Sequence, residues 1–397
     1  MIDAPEKVVI TREDRSIDGI SHSAFALTFV AGLNGGWLGP LIPAIAAAQK
    51  IPIDQVGLIV SLLCAGCFVS QLFGSKILQK IGGKKSLLTG SAMLSLGMLG
   101  LAFAQGTPAL LAMAFITGLG TGMNGVAGHV SIINFHKDKA ASALSKLNIF
   151  YGIGALLAPM VVLALLKNTG YHNIFLISAV SAALVALNLL RLPSLPIAKS
   201  ESTQKSKGLL SPLLVMLALT VFCYVGTETT VGTWLYTYLS GRGISAAQAS
   251  MGMSIIFTGL TIGRLISIRL CLSIDPVKVT LFAMSLMTLA LTLLLLSTNP
   301  YLTLFSVFLV GSGFGPIYPN LIARTAKLFP ERVSQVTALA ISSGAIGGTL
   351  MPGIAGQVMA HFGLSATMIF ILSGSLAMMA TFIWALKTAK SKIIEAA

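Results

Sequence analysis

Twelve membrane-spanning helices, built as two related bundles of six, are the architecture this sequence predicts, and three observations carry the prediction. The first is composition: 55% of the 397 residues are hydrophobic and 10% are charged, against roughly 25% charged in soluble domains. The second is segmentation into twelve apolar runs, each near the ~20 residues a helix needs to cross ~30 Å of hydrocarbon. The third is a repeat. Gly118, Gly120, Gly122, Gly154, Pro159 and Gly170 recur as Gly311, Gly313, Gly315, Gly347, Pro352 and Gly363, always 193 residues later, and Gly66 and Gly259 keep the same offset. Six spans is an even number, so both copies have one orientation and are related by an axis along the membrane normal.

Taken in order, the first run, 20–45, carries Asn34 and Trp37 among Gly35, Gly36, Gly39, Pro40 and Pro43. These are expected to interrupt the helix, and interrupted backbone survives at membrane depth only where it lines a cavity or is buried in protein. The second, 56–79, holds Cys64, Gly66, Cys67 and Gln71. The third, 86–104, carries no charged residue. The fourth, 109–133, has Gly118, Gly120 and Gly122, read as close helix contact, then Asn124 and His129. The fifth, 145–166, begins near Asn148 and contains Gly154 and Pro159; the sixth, 173–190, closes the first copy. Residues 191–208, with Pro193, Pro196, Ser200, Ser202 and Ser206, have the composition of a flexible tether.

The seventh run, 209–238, contains Glu228 and Trp234, and the eighth, 248–270, contains Arg264. The ninth, 278–297, is apolar. The tenth, 301–323, sets Tyr318 and Asn320 beside Pro316 and Pro319, where the same interruption of the helix is expected; the eleventh, 337–360, and the twelfth, 365–386, complete the copy. The domain reading is therefore a tail at 1–19, a bundle at 20–190, a linker at 191–208, a second bundle at 209–387 and a tail at 388–397.

The net charge of +14 points to topology and not to nucleic acid. With the N-terminus inside, 22 of the 26 lysines and arginines fall on or near one face, and Lys50, Lys167 and Arg242 fall on the other. That asymmetry places both termini in the cytoplasm. The opening residues mix both signs and lack a small-residue cleavage pattern, so they read as a tail and not a signal peptide. Cys64 and Cys67 are one helical turn apart inside a span and read as packing residues. No second histidine or acid stands at metal-ligand spacing from His129, and no residue set resembles a hydrolytic or redox centre, so neither a metal, a cofactor nor catalysis is expected.

The chain resembles the major facilitator superfamily over essentially its whole length. More narrowly it is similar to the branch of fucose–proton symporters and sodium-dependent glucose transporters. Tyr224-Val-Gly-Thr-Glu-Thr-Thr-Val-Gly-Thr-Trp, Gly259-Leu-Thr-Ile-Gly-Arg, Phe150-Tyr-Gly-Ile-Gly-Ala-Leu-Leu-Ala-Pro and Gly311-Ser-Gly-Phe-Gly-Pro-Ile-Tyr-Pro-Asn carry the likeness. The resemblance implies a twelve-helix fold, alternating access around a midplane site, and monomeric function. Two departures stand out. Gln79 occupies the loop position where an acid is usual, and the first half has no intramembrane acid.

Glu228 is the one acid inside an apolar run, and an ionisable group at that depth marks a substrate or ion pathway by default. Arg264 is its candidate partner. Loss of water favours the protonated acid and a nearby guanidinium favours the carboxylate, so the pair can act as a gate; a permanent salt bridge locking two helices is the plainer alternative. Arginine does not titrate, so a transported proton rides on Glu228 or His129. His129 can equally be a histidine that reaches the membrane interface. For substrate we expect Asn34, Trp37, Asn124, Asn148, Trp234, Tyr318 and Asn320, the indoles covering the C–H face of a sugar ring and the amides bonding its hydroxyls. Each has a bland reading as helix packing. Gln71 is secondary, and Trp384 reads as a belt residue.

These readings converge on a multi-pass protein of the plasma membrane, a bacterial inner membrane, moving a monosaccharide or related polyol. Its coupling ion is expected to be a proton, with sodium as the alternative, and its partners are a small-molecule substrate and the bilayer. A facilitator or proton-linked exporter of amphipathic drugs or lipids, with Glu228–Arg264 structural, is the alternative function. A transport-silent sensor is disfavoured by the short tails.

Overall fold

The computed structural model describes residues 12–136, 140–193 and 211–395. Its order is α1 (Arg12–Gln49), α2 (Ile53–Ile81), α3 (Gly83–Phe103), α4 (Thr107–His136), α5 (Ala140–Arg191), α6 (Pro212–Gly241), α7 (Ala246–Leu270), α8 (Pro276–Leu296), α9 (Pro300–Leu328), a short 3₁₀ turn (Pro330–Arg332), α10 (Val333–Phe362) and α11 (Leu364–Glu395). All eleven α-helices are long and apolar enough to cross a membrane. The fifth is two spans: Gly170 sits inside it at φ 70°, ψ 175°, a left-handed conformation that glycine alone adopts without strain. Its arms, 140–169 and 171–191, bring the number of spans to twelve.

Local chemistry sets the helix starts in the second half. Ser211, Asp275 and Asn299 each accept a backbone N–H of the first turn, with a proline as the next residue. Ser245 and Gln248 close a reciprocal capping box on α7. These caps satisfy amides that the helix leaves unpaired. The tail expected at 1–19 is described only from residue 12, where α1 has already begun, and α11 runs to Glu395 through most of the expected second tail. Most of the expected linker lies outside the described residues.

The repeat governs packing as well as sequence. A β-carbon on Gly66 would strike the Phe115 carbonyl, and one on Gly259 the Phe308 carbonyl; Gly118 meets Leu63 where Gly311 meets Ile256, and Gly154 meets Phe29 where Gly347 meets Phe222. Each contacted residue shifts by the same 193 positions as the glycine. Small residues at these crossings let helix backbones approach closely, which drives association where lipid removes the hydrophobic drive. One core gathers Trp37, Tyr171 and Phe175, the other Tyr224, Tyr238, Phe314 and Phe382.

The two bundles meet on one side. We call the face near Gly82 and Asp275, which carries Lys76, Lys80, Lys84 and Lys85, the basic face. Toward the opposite face, Trp234 of α6 packs its indole over Gly57 of α2 and Gly356 of α10, and its Nε1 donates to the Pro352 carbonyl at 2.9 Å. Asp54 of α2 accepts Gln357 Nε2 of α10 at 2.9 Å, and Ser254 Oγ of α7 donates to the Leu156 carbonyl of α5 at 3.0 Å. Among the described residues these two are the hydrogen bonds that join the bundles. Both lie on the opposite-face side of Arg264 and Gln71 along α7 and α2, so the bundles are joined toward that face.

Two expectations need correction. Pro40 and Pro43 do not interrupt α1, and Pro316 and Pro319 do not interrupt α9; all four sit inside continuous helix. The glycines beside them serve contact instead: a β-carbon on Gly36 would lie 2.5 Å from the Ala155 carbonyl, and one on Gly39 2.6 Å from the Gly232 carbonyl.

Candidate functional site

Between the bundles lies a cavity of about 800 Å³. Helical stripes build its wall. Val225, Glu228, Thr229, Gly232 and Thr233 line it from α6, and Val60, Leu63, Cys64, Cys67 and Gln71 from α2; both sets follow the three- and four-residue spacing of one helix face. Thr258, Thr261 and Arg264 come from α7, Asn148 and Tyr151 from α5, Asn34 from α1 and Tyr318 from α9. Most of the remaining wall is apolar, including Leu38, Ile256, Phe257, Leu260 and Ile341.

Glu228 and Arg264 face this space together. Each feels the other's charge, yet no Arg264 nitrogen lies within the 4.0 Å of a Glu228 oxygen that defines a salt bridge. Arg264 Nε is buried without a hydrogen-bond partner. One turn before Glu228, the Tyr224 hydroxyl donates to the Phe314 carbonyl at 3.1 Å, which spends its one proton, although it remains beside the carboxylate. The permanent Glu228–Arg264 bridge considered from sequence is therefore absent from this conformation.

Asn34 is 3% exposed. Ser178 Oγ of α5 donates to its Oδ1 at 2.6 Å, and its Nδ2 is left without a partner at the cavity wall. The serine thus holds the amide so that its NH₂ is the free end. Tyr318 stacks obliquely on Tyr224, with centroids 5.8 Å apart at 30°. The Tyr151 hydroxyl passes so close to Gly35 that a β-carbon there would stand 2.9 Å from it, and the ring lies in the field of both Glu228 and Arg264.

Five expected site residues lie off the cavity wall. His129 is exposed and its Nδ1 pairs with the Gly125 carbonyl of its own helix at 2.8 Å. Trp37 is fully buried in the first core, its Nε1 unpartnered. Asn124 is packed onto Gly90 between α3 and α4, with neither end of its amide bonded. Trp234 closes the interface below the cavity and has no free face for a sugar. Asn320 accepts a weak bond from Cys271 Sγ at 3.9 Å, near the basic end of α9. The helix's own carbonyl claims His129, Gly90 receives Asn124, Gly57 and Gly356 receive Trp234, the apolar core takes Trp37 and Cys271 meets Asn320; sequence position alone does not reveal which. Conversely Cys64 and Cys67, expected as packing residues, line the cavity, as do Tyr151 and the threonines of α6 and α7. The stripe through Glu228 was the signal that would have found Thr229 and Thr233.

A family model described as Major Facilitator Superfamily matches residues 24–323 and again 217–396. The chain belongs to the Major Facilitator Superfamily. It is a membrane transporter and not an enzyme, and its twelve spans in two halves are the fold of that superfamily. The glucose/mannose transporter GlcP of Bacillus subtilis is 23% identical over 379 residues, covering 88% of this chain and 92% of its own. The nucleoside transporter NupG has a TM-score of 0.77 at 16% identity, over 92% of this chain and 99% of its own. The fucose–proton symporter FucP of E. coli has a TM-score of 0.62 at 17% identity, over 93% and 98%. At those identities the solved structures speak for the fold. In this superfamily member the cavity lies where the two repeats meet, the usual position of a transporter's binding site.

Proposed function

We propose that this superfamily member is a secondary active transporter of a monosaccharide or related polyol, with a proton carried on Glu228. The observation that carries the reading is the pairing of Glu228 with Arg264 on the wall of a cavity closed toward one face. An unbridged acid at this depth is costly, and taking up a proton whenever the cavity opens removes that cost. Substrate hydroxyls have Asn34, Asn148, Tyr151 and Tyr318 within the same wall. The glucose/mannose transporter named above supports the choice of sugar, and the choice of proton rests on Glu228 itself. Rocking of the halves about this site would break the Trp234 and Asp54 contacts and form new ones toward the basic face. The excess of lysine and arginine on that face supports its being the cytoplasmic one, in a plasma membrane.

The test is transport in proteoliposomes. Glu228→Gln is expected to abolish uptake driven by a pH gradient while sparing counterflow exchange of the same sugar, because exchange moves no net proton. Equal loss of both would sink the coupling role. The apolar share of the wall favours a second reading, export of amphipathic compounds; lipophilic cations moving where sugars do not would select it.

A further inference from the structure

We infer that the substrate is an acidic monosaccharide, a uronate or aldonate, whose carboxylate is received by Arg264 when Glu228 is protonated. The inference deepens the sugar reading and rests on it. It begins from an imbalance of hydrogen-bonding groups at the wall. Among the described residues Arg264 makes no hydrogen bond and no salt bridge, and its Nε is buried bare. Asn34 presents an unpartnered Nδ2 with its Oδ1 already taken by Ser178. Tyr151 and Tyr318 add hydroxyls without a partner among the described residues. Against these donors the wall sets one charged acceptor, the Glu228 carboxylate, and two neutral ones, the amide oxygens of Asn148 and Gln71, each of which comes with its own NH₂ donor. A ligand that completes such a site is rich in acceptors, and the guanidinium asks for an anion with two oxygens, which a carboxylate supplies as a fork-to-fork pair.

Charge balance points the same way. With Glu228 ionised, the cavity holds one negative and one positive group. With Glu228 protonated, Arg264 is the one charged group on the wall, since the other titratable groups facing Glu228 are Tyr224 on its own helix, Tyr151 on α5, Tyr318 on α9, and Cys64 and Cys67 on α2, all neutral in the physiological range. The lining residues of α1 and α10 add no titratable group. A lone guanidinium on a largely apolar wall, its Nε already buried without a partner, is unfavourable. A substrate carboxylate cancels it, so proton and anion enter together and the loaded site is neutral. By linkage, each ligand then raises the affinity for the other.

The experiment is equilibrium binding to the purified full-length protein, with D-glucuronate, D-glucose and chloride as probes at pH 6 and pH 8, on wild type, Arg264→Gln and Arg264→Lys. D-glucuronate is expected to bind more tightly than D-glucose, its affinity rising toward low pH by up to about tenfold per pH unit for one linked proton. Arg264→Gln is expected to erase that advantage while glucose still binds, and Arg264→Lys to keep part of it. Glucose binding with no glucuronate preference, or a preference that survives Arg264→Gln, overturns the inference and leaves the sugar reading standing. Binding of neither sugar overturns both. Chloride competing with glucuronate as strongly as unlabelled glucuronate does would place an inorganic anion on Arg264 and overturn the acid-sugar assignment. If Arg264→Gln does not fold, the wild-type pH dependence and Arg264→Lys decide.

Discussion

The indole of Trp234 lies against Gly57 across the boundary between the two bundles, so close that a β-carbon on residue 57 would stand 2.3 Å from Cζ2 and 2.4 Å from Cη2. One residue belongs to each half, and a β-carbon on Gly356 would stand 2.8 Å from the same Cζ2. The closed side of the transporter is therefore a large aromatic fitted between two positions that have no side chain.

Gly57→Ala is expected to disfavour this closed arrangement. Overpacking of a fitted site costs about 1–3 kcal/mol, which shifts a two-state balance by about five- to 150-fold. Cys64 and Cys67 on the cavity wall report it: in a protein lacking Cys223 and Cys271, an impermeant maleimide should reach them from the basic face in wild type and from the opposite face in the variant. Trp234→Ala in the same chain should reverse much of the effect. Unchanged sidedness in Gly57→Ala would show that the contact does not hold the closed state.

Ser178→Ala is expected to free the Asn34 amide to turn. Ser178 does not reach the cavity, so it is a positioning residue. Loss of one hydrogen bond, about 1 kcal/mol, should raise KM about fivefold with kcat nearly unchanged, and Ser178→Thr should restore most of the difference. A fall in kcat at constant KM, measured by sugar uptake, would contradict this role.

His129→Ala is expected to change uptake less than about twofold at any pH between 6 and 8. Its ring is exposed and already bonded to the carbonyl four residues earlier, away from Glu228. A shifted pH profile would return His129 to the proton route.

The long apolar runs and the glycine offset made twelve spans and two halves legible in the chain, because membrane solvation forces both: length follows from bilayer thickness, and close crossings demand small residues at fixed positions. Glu228, Arg264, Asn34, Asn148 and Tyr318 were legible because polar groups at that depth are costly and must face protein or a cavity. Helix continuity through Pro40, Pro43, Pro316 and Pro319 was not, since proline disfavours helix by removing a donor and crowding the preceding turn, and only the packed structure shows that the helix runs on.

What the sequence by itself determined is the number and order of the helices, the repeat that pairs them, and the depth of its two buried charges. Only tertiary structure decided which polar side chains meet. Trp234 fills the seam instead of the site, Asn124 is claimed by Gly90, and Arg264 stops short of Glu228. The reason is that a helix presents several faces at once, and which face meets a cavity, a lipid or another helix depends on the partners that fold around it.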